Sequence, residues 1–113
     1  MEPSPHRLSD REYKKTLREI GSLNRTGMQD ANDGNFPSAF SRILTALSMA
    51  RELDKKCIEA KVLNSLGILH AMEKRWDQAL LTYDQAMDIV AEHYGTNNVL
   101  YQTLGKNMLY LFH

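Results

Sequence analysis

The side chains best suited to chemistry in this chain are one cysteine and four histidines, His6, His70, His93 and His113. The histidines show no metal-ligand spacing, and Cys57 has no second cysteine with which to form a disulfide or a metal pair. A catalytic thiol also needs a histidine and an orienting group. These residues therefore predict neither a metal site nor a nucleophile.

The short motifs that mark common enzyme classes are also missing. The chain contains no glycine-rich phosphate loop, no H-E-x-x-H motif and no nucleophile elbow. Its six methionines are better explained as gap fillers in a helical core or as an adaptable contact surface. We therefore expect a protein without enzymatic activity and without a cofactor.

The charge composition provides no global attraction for nucleic acid or for an anionic membrane. The 113 residues include 14 lysines and arginines and 14 aspartates and glutamates, so the formal net charge is zero. Residues 11–25 hold a local group of basic side chains, with acidic ones among them at helical neighbour spacings. This segment is either a solvated helical face or a basic patch for a partner. We expect no nucleic acid and no membrane among the partners.

Cysteine usage and the first residues indicate the compartment. A single cysteine favours a reducing cytoplasm. No apolar stretch approaches the roughly 18–20 residues of a membrane span, and the N-terminal residues lack the layout of a signal peptide. We expect a cytoplasmic protein in which residues 1–8 form a disordered tail and residues 9–113 form one helical domain.

Start and stop signals divide the chain into five helices with short connections. Ser9 followed by Glu12 forms a capping box. Pro37 stands where a helix can begin without losing a hydrogen bond, and Gly95 stands where one can end in a left-handed conformation. Apolar residues recur at three- and four-residue steps within each segment. The predicted helices cover about residues 10–32, 37–53, 58–73, 76–95 and 98–112.

The chain also repeats itself at an offset of 40 residues and then begins a third time. Moving residues 60–93 back onto 20–53 aligns seven identical residues, where about two are expected by chance. A fixed period of about 20–50 residues indicates a stacked helical array. The identities are Leu23/Leu63, Asn24/Asn64, Gly27/Gly67, Ala31/Ala71, Ala39/Ala79, Ala46/Ala86 and Glu52/Glu92, and Phe36 aligns with Trp76.

The second copy contains a spaced pattern of apolar and small residues, Leu63-x2-Leu66-Gly67-x2-His70 and then Ala79-x3-Tyr83 and Ala86. This order resembles the tetratricopeptide repeat, whose pattern is W-x2-L-G-x2-Y followed by A-x3-F. The segment Tyr101-x2-Leu104-Gly105-x2-Met108 is similar to the first helix of a third copy. Two departures stand out. Gly67 follows Gly27 by 40 residues and Gly105 follows Gly67 by 38, whereas the family period is about 34, and His70 and Asp30 replace the family's tyrosine.

The resemblance implies an all-α fold of antiparallel helical hairpins, stacked as a short right-handed array of about five helices. Repeat 1 would cover about residues 20–53, repeat 2 about 60–93, and a half repeat 3 about 98–112. A glycine within a helix costs about 1 kcal/mol relative to alanine, so we expect the three repeat glycines to permit close approach of a paired helix. Facing and filling residues would be Ala39, Ala79, Phe36, Trp76 and Tyr83, and the expected apolar faces include Leu44 and Leu80.

Binding in such an array usually takes place on the inner face, which the first helix of each hairpin lines. Amides there can bond a peptide backbone, and cations can meet acidic side chains or a terminal carboxylate. The same residues can equally be solvated polar groups, and both interpretations stay open. Our leading hypothesis is an adaptor or scaffold that binds a peptide or helix of a partner protein. The expected site residues are Asn24, Arg25, Met28, Lys61, Asn64, Ile68, Gln102 and Lys106, beside Gly21, Asn32, Ser65, Met72, Val99, Thr103 and Tyr110.

The last helix supplies an alternative hypothesis. Each unit of a stacked array leaves one hydrophobic face bare, so terminal units need polar caps. The fifth helix instead carries apolar residues on more than one face, and an exposed apolar patch usually marks an interface. The alternative function is a self-associating structural module, a homodimer formed through Met108, Leu109, Leu111 and Phe112.

Overall fold

The computed structural model describes residues 8–112, and within them the chain is all-α, as the sequence predicts. Residues 1–7 of the predicted tail at 1–8 and the terminal His113 lie outside the described residues. The observed helix boundaries agree with the predicted ones to within a few residues, because the start and stop signals act locally. The helices are α1 (Asp10–Asn32), α2 (Phe36–Glu52), α3 (Lys56–Met72), α4 (Trp76–Tyr94) and α5 (Val99–Tyr110).

The predicted cap of α1 is formed, with one difference in detail. The Ser9 hydroxyl oxygen accepts a hydrogen bond from the Glu12 backbone N–H at 3.2 Å and donates one to the Glu12 carboxylate at 3.0 Å. The carboxylate thus bonds the hydroxyl group, where a full capping box would bond the backbone. At the end of α4, Gly95 has φ 79° and ψ −173°. The positive φ is as predicted, but the extended ψ lies outside the left-handed helical region.

The turns inside the two hairpins repeat at the same offset of 40 residues. Gly34 and Lys74 both have positive φ, 82° and 60°. In each turn the next backbone N–H donates back across the helix end at 2.8 Å, from Asn35 to the Asp30 carbonyl and from Arg75 to the His70 carbonyl. The repeat seen in the sequence is therefore also a repeat of backbone geometry.

The helices form two layers. Consecutive helices pack in pairs, and the molecule measures 55 × 33 × 19 Å. Its thinnest dimension is about two helix diameters of ~10 Å, which fits an inner layer of α1, α3 and α5 and an outer layer of α2 and α4. Among the described residues α3 contacts both α1 and α5, whereas α2 and α4 do not contact each other. The array therefore curves toward the inner layer.

Close packing at the first two repeat glycines is confirmed. A Cβ atom on Gly27 would lie 2.9 Å from Ile43 and 3.3 Å from the Ala39 carbonyl oxygen, and one on Gly67 would overlap the ring of Tyr83. Ile43 and Tyr83 are themselves 40 residues apart, so the same contact occurs in both hairpins. Gly105 differs, because its nearest such neighbour, the Met87 Cε atom, is 3.7 Å away.

Four residues do not lie where the sequence placed them. Leu44 and Trp76 are each 50% exposed and Leu80 is 37% exposed, although they were expected to fill the apolar faces of the hairpins. All three belong to α2 and α4, whose flanks stay open to solvent because these helices do not meet. Ser65, expected on the inner face, is 6% exposed, because α3 is covered by the preceding hairpin on that side.

Candidate partner-binding face

The inner face is built around a stripe of accessible residues on α3. This helix packs against α1, α2, α4 and α5, and its residues 59–69 are buried except at Lys61, Asn64 and Ile68. Its accessible side chains recur at three- and four-residue steps and so share one side of the helix. Lys61 and Met72 are exposed, and Cys57, Asn64 and Ile68 are half-buried. Three of the predicted site residues, Lys61, Asn64 and Ile68, therefore lie together on this stripe.

On α1 the predicted residues divide between the face and its edge. Asn24 and Met28 are half-buried, like their counterparts Asn64 and Ile68. Arg25 is exposed, and its Nη1 atom lies 3.4 Å from the position that a Cβ atom on Gly21 would occupy. The guanidinium group therefore folds over Gly21, and Arg25 belongs to the edge of the inner face.

On α5 the structure adds a residue that sequence reasoning missed. Gln102 and Lys106 are exposed as predicted. Asn107 donates a hydrogen bond from Nδ2 to the Oδ1 atom of Asn64 at 2.8 Å, which ties α5 to α3. The Asn64 carbonyl is thus already engaged, and its amide NH2 group remains to meet a peptide. Asn107 belongs to no repeat identity, so no sequence signal marked it.

The inner face carries cations without carboxylates. Among its residues on the three inner helices, Lys61 and Lys106 are positively charged and none is acidic, while Arg25 adds a cation at the edge. Acidic side chains are placed instead on the exposed outer surface of α4, namely Asp77, Asp84, Asp88 and Glu92. A chain with no net charge therefore presents a positive inner face, which favours an acidic ligand.

Two side chains beside the inner face, the amide of Asn24 and the imidazole of His70, each have a buried polar atom. Oδ1 of Asn24 and Nδ1 of His70 are buried and form no hydrogen bond with the described residues. The His70 ring packs 5.3 Å from that of Phe40, centroid to centroid. Burial, and secondarily the positive charge of Arg75, lowers the pKa of His70 below its ordinary 6.5. His70 is thus held as a neutral ring packed beside the core.

The residues predicted for self-association are split. Leu109 and Phe112 are 65% and 71% exposed, while Met108 and Leu111 pack partly buried against the core. On α5 only Leu104 is fully buried, so this helix is held by few contacts. Of the four predicted residues, Leu109 and Phe112 therefore supply the exposed apolar surface at this end.

Comparison with known proteins identifies no relative, since no family model, no curated protein and no solved structure matches the chain. Residues 8–112 hold no group of three or more histidine, cysteine, aspartate or glutamate side chains arranged to bind a metal ion. In the same residues, no helix combines the length and the apolar content needed to cross a membrane.

Proposed function

We propose that the chain is a non-enzymatic protein–protein interaction module, an adaptor or scaffold, that binds a peptide or helix of a partner protein on its inner face. The observation that carries this proposal is the α3 stripe. Within residues 59–69, where α3 is otherwise buried, the helix keeps an ordered row of accessible cationic, amide and apolar groups, with Lys61 exposed beside half-buried Asn64 and Ile68. Such a mixture suits peptide recognition, in which polar groups orient a ligand and apolar groups anchor it.

The same proposal includes the repeat class and the compartment. We assign the chain to a longer-period variant of the tetratricopeptide repeat, supported by the equivalent contacts of Gly27 with Ile43 and of Gly67 with Tyr83. The turns at Gly34 and Lys74 support it as well. A cytoplasmic location is proposed because the chain has a single cysteine, Cys57, which is free.

The test combines Lys61→Ala with Asn64→Ala. Peptides are first selected on the unmodified chain from a random display library, and their affinity is then measured by fluorescence anisotropy. We expect the double variant to weaken binding about tenfold or more with no change in solution mass. The control is Lys15→Ala with Ser22→Ala, two exposed residues on the opposite surface of α1. An affinity that is unchanged in the Lys61 and Asn64 variant would remove the inner-face hypothesis.

A second candidate function is self-association through the end of α5. The observation that favours it is the exposure of Leu109, in the last turn of α5, and of Phe112, just after that helix, which are 65% and 71% exposed. Large apolar side chains grouped on a surface usually mark an interface. On this alternative the chain is a structural module whose partner is a second copy.

A further inference from the structure

A mostly apolar cavity of about 490 Å³ opens at one end of the inner face. It lies between the start of α3, the end of α4 and the start of α5. Its apolar walls come from Val90, Val99 and Leu100, together with the ring of Tyr94. Lys61 lines the cavity and also belongs to the α3 stripe, so that the cavity and the inner face are continuous.

Local geometry explains why this space stays open. The Tyr94 hydroxyl oxygen accepts a hydrogen bond from the Cys57 backbone N–H at 3.2 Å, which fixes the end of α4 over the start of α3. Gly95 then turns the chain away with a positive φ, and Asn98 caps the new helix by accepting from the Tyr101 N–H at 2.8 Å. Because α5 begins beside the gap and not across it, its first residue, Val99, is left 79% exposed.

The apolar lining of the cavity fits an apolar side chain more closely than a polar ligand. Its volume falls within the ~300–1,000 Å³ of ordinary ligand sites, and the apolar walls offer few hydrogen-bond partners. Such pockets anchor peptides through one large apolar residue. The second pocket, near α1, is wider, about 970 Å³, and includes the carboxylates of Asp10 and Glu52 in its lining.

The charge at the rim defines the rest of the ligand. Among the described residues that line the cavity, Lys61 is the one with a charged side chain. It forms no ion pair within residues 8–112. Lys106 supplies a further cation on the same face, and neither the lining nor the α3 stripe contains a carboxylate. An apolar group with a negative charge close by is therefore complementary to this site.

We infer that the cavity holds a bulky apolar side chain of an acidic partner peptide, with a carboxylate of the same peptide against Lys61. This inference rests on the proposed function, since it names the ligand of the inner face. It adds Tyr94 and Leu100 to the predicted inner-face residues Lys61, Val99 and Thr103, which also line the cavity.

The test uses the full chain and peptides selected on it from a random display library. Binding is compared for Val99→Glu and Lys61→Gln. A glutamate at the first residue of α5 is favourable to the helix dipole, so Val99→Glu keeps the fold while it places a negative charge at the cavity. Leu81→Glu, at a 71% exposed residue of the outer layer, and Lys15→Gln are the matched controls. Alkylation of Cys57 by iodoacetamide, followed by mass spectrometry, reports occupancy because this half-buried thiol lines the cavity.

We expect the selected peptides to combine a large apolar residue with acidic ones. They should lose affinity about tenfold on each cavity variant, keep it on both controls and slow the alkylation of Cys57. Peptides that bind the Val99→Glu variant as well as the unmodified chain, and leave Cys57 unprotected, would overturn this inference, and the proposed function still stands if the Lys61 and Asn64 variant weakens their binding. If no peptide is enriched, the proposed function and the inference fail together.

Discussion

The repeat glycines Gly67 and Gly105 are packed differently. Gly67 is buried under the ring of Tyr83, whereas Gly105 has only the end of Met87 near it, at 3.7 Å. We expect Gly67→Ala to destabilise the protein by roughly 1–3 kcal/mol through overpacking. Gly105→Ala should stabilise it by up to about 1 kcal/mol, because a helical glycine is replaced without a clash. Urea unfolding followed by circular dichroism measures both, and equal stabilisation by the two substitutions would contradict the packing.

His70 makes stability depend on pH. Burial and the charge of Arg75 lower its pKa in the folded chain below the ordinary 6.5, so the unfolded chain binds a proton more readily. Its contribution is therefore fully present above pH ~6.5 and is lost as the pH falls from there through the folded pKa. His70→Phe keeps an aromatic ring against Phe40 and removes the titration. We expect its urea midpoint to fall less than that of the unmodified chain between about pH 8 and pH 5.5, the interval in which histidine ordinarily titrates. An equal fall in both chains would contradict this role of His70.

Among the elements, α5 depends most on its cap. It buries only Leu104, and Asn98 both accepts from the Tyr101 N–H and donates to the Gly95 carbonyl, at 2.8 and 2.9 Å. Asn98→Ala should cost about 1 kcal/mol and speed amide hydrogen exchange in α5, while α3 stays protected. Ser9→Ala removes the cap of α1 and is the control, since it should act on α1 and leave α5 as it was. Equal exchange in α5 with and without Asn98 would show that the cap does not hold this helix.

Local signals account for what the sequence predicts well. The cap at Ser9, the turn around Gly34 and the proline at 37 act within a few residues, so the element boundaries follow from them. The offset of 40 residues also locates the contacts of Gly27 and Gly67, because a repeat copies its own packing. The alignment of the repeats also predicts the part of the candidate site on α3, namely Lys61, Asn64 and Ile68.

Contacts between distant segments account for what the sequence misses. The bond between Asn64 and Asn107 joins residues 43 apart, and that between Cys57 and Tyr94 joins residues 37 apart. Neither pair belongs to a motif, and both depend on the angles at which α4 and α5 meet α3. The cavity beside Val99 exists only because of those angles, so no pattern in the sequence indicates it.

At the scale of the whole molecule, the exposed surface of α1 is mainly basic and that of α4 mainly acidic, although the net charge is zero. Exposed basic residues lie on the side of α1 opposite the core, with the exposed carboxylates of Glu12 and Glu19 on the same helix, and exposed acidic residues lie on α4. Two copies can therefore attract each other in two ways, through these opposite charges or through the apolar end of α5. Only the first should weaken as salt is added. The basic set is Arg11, Lys15, Arg18 and Arg25, and the acidic set is Asp77, Asp84, Asp88 and Glu92.

The self-association hypothesis is decided by the mass in solution. If Leu109 and Phe112 form the interface, light scattering at several concentrations should give a dimer that persists in high salt, because burial of apolar surface drives it. Leu109→Glu with Phe112→Glu should then give a monomer, since two charges would be buried without partners. Trp76→Glu with Leu81→Glu, at residues 50% and 71% exposed on α4, is the matched control and should leave the dimer intact. A chain that is monomeric at every concentration would remove this hypothesis, and a dimer that dissociates in salt would assign the contact to α1 and α4.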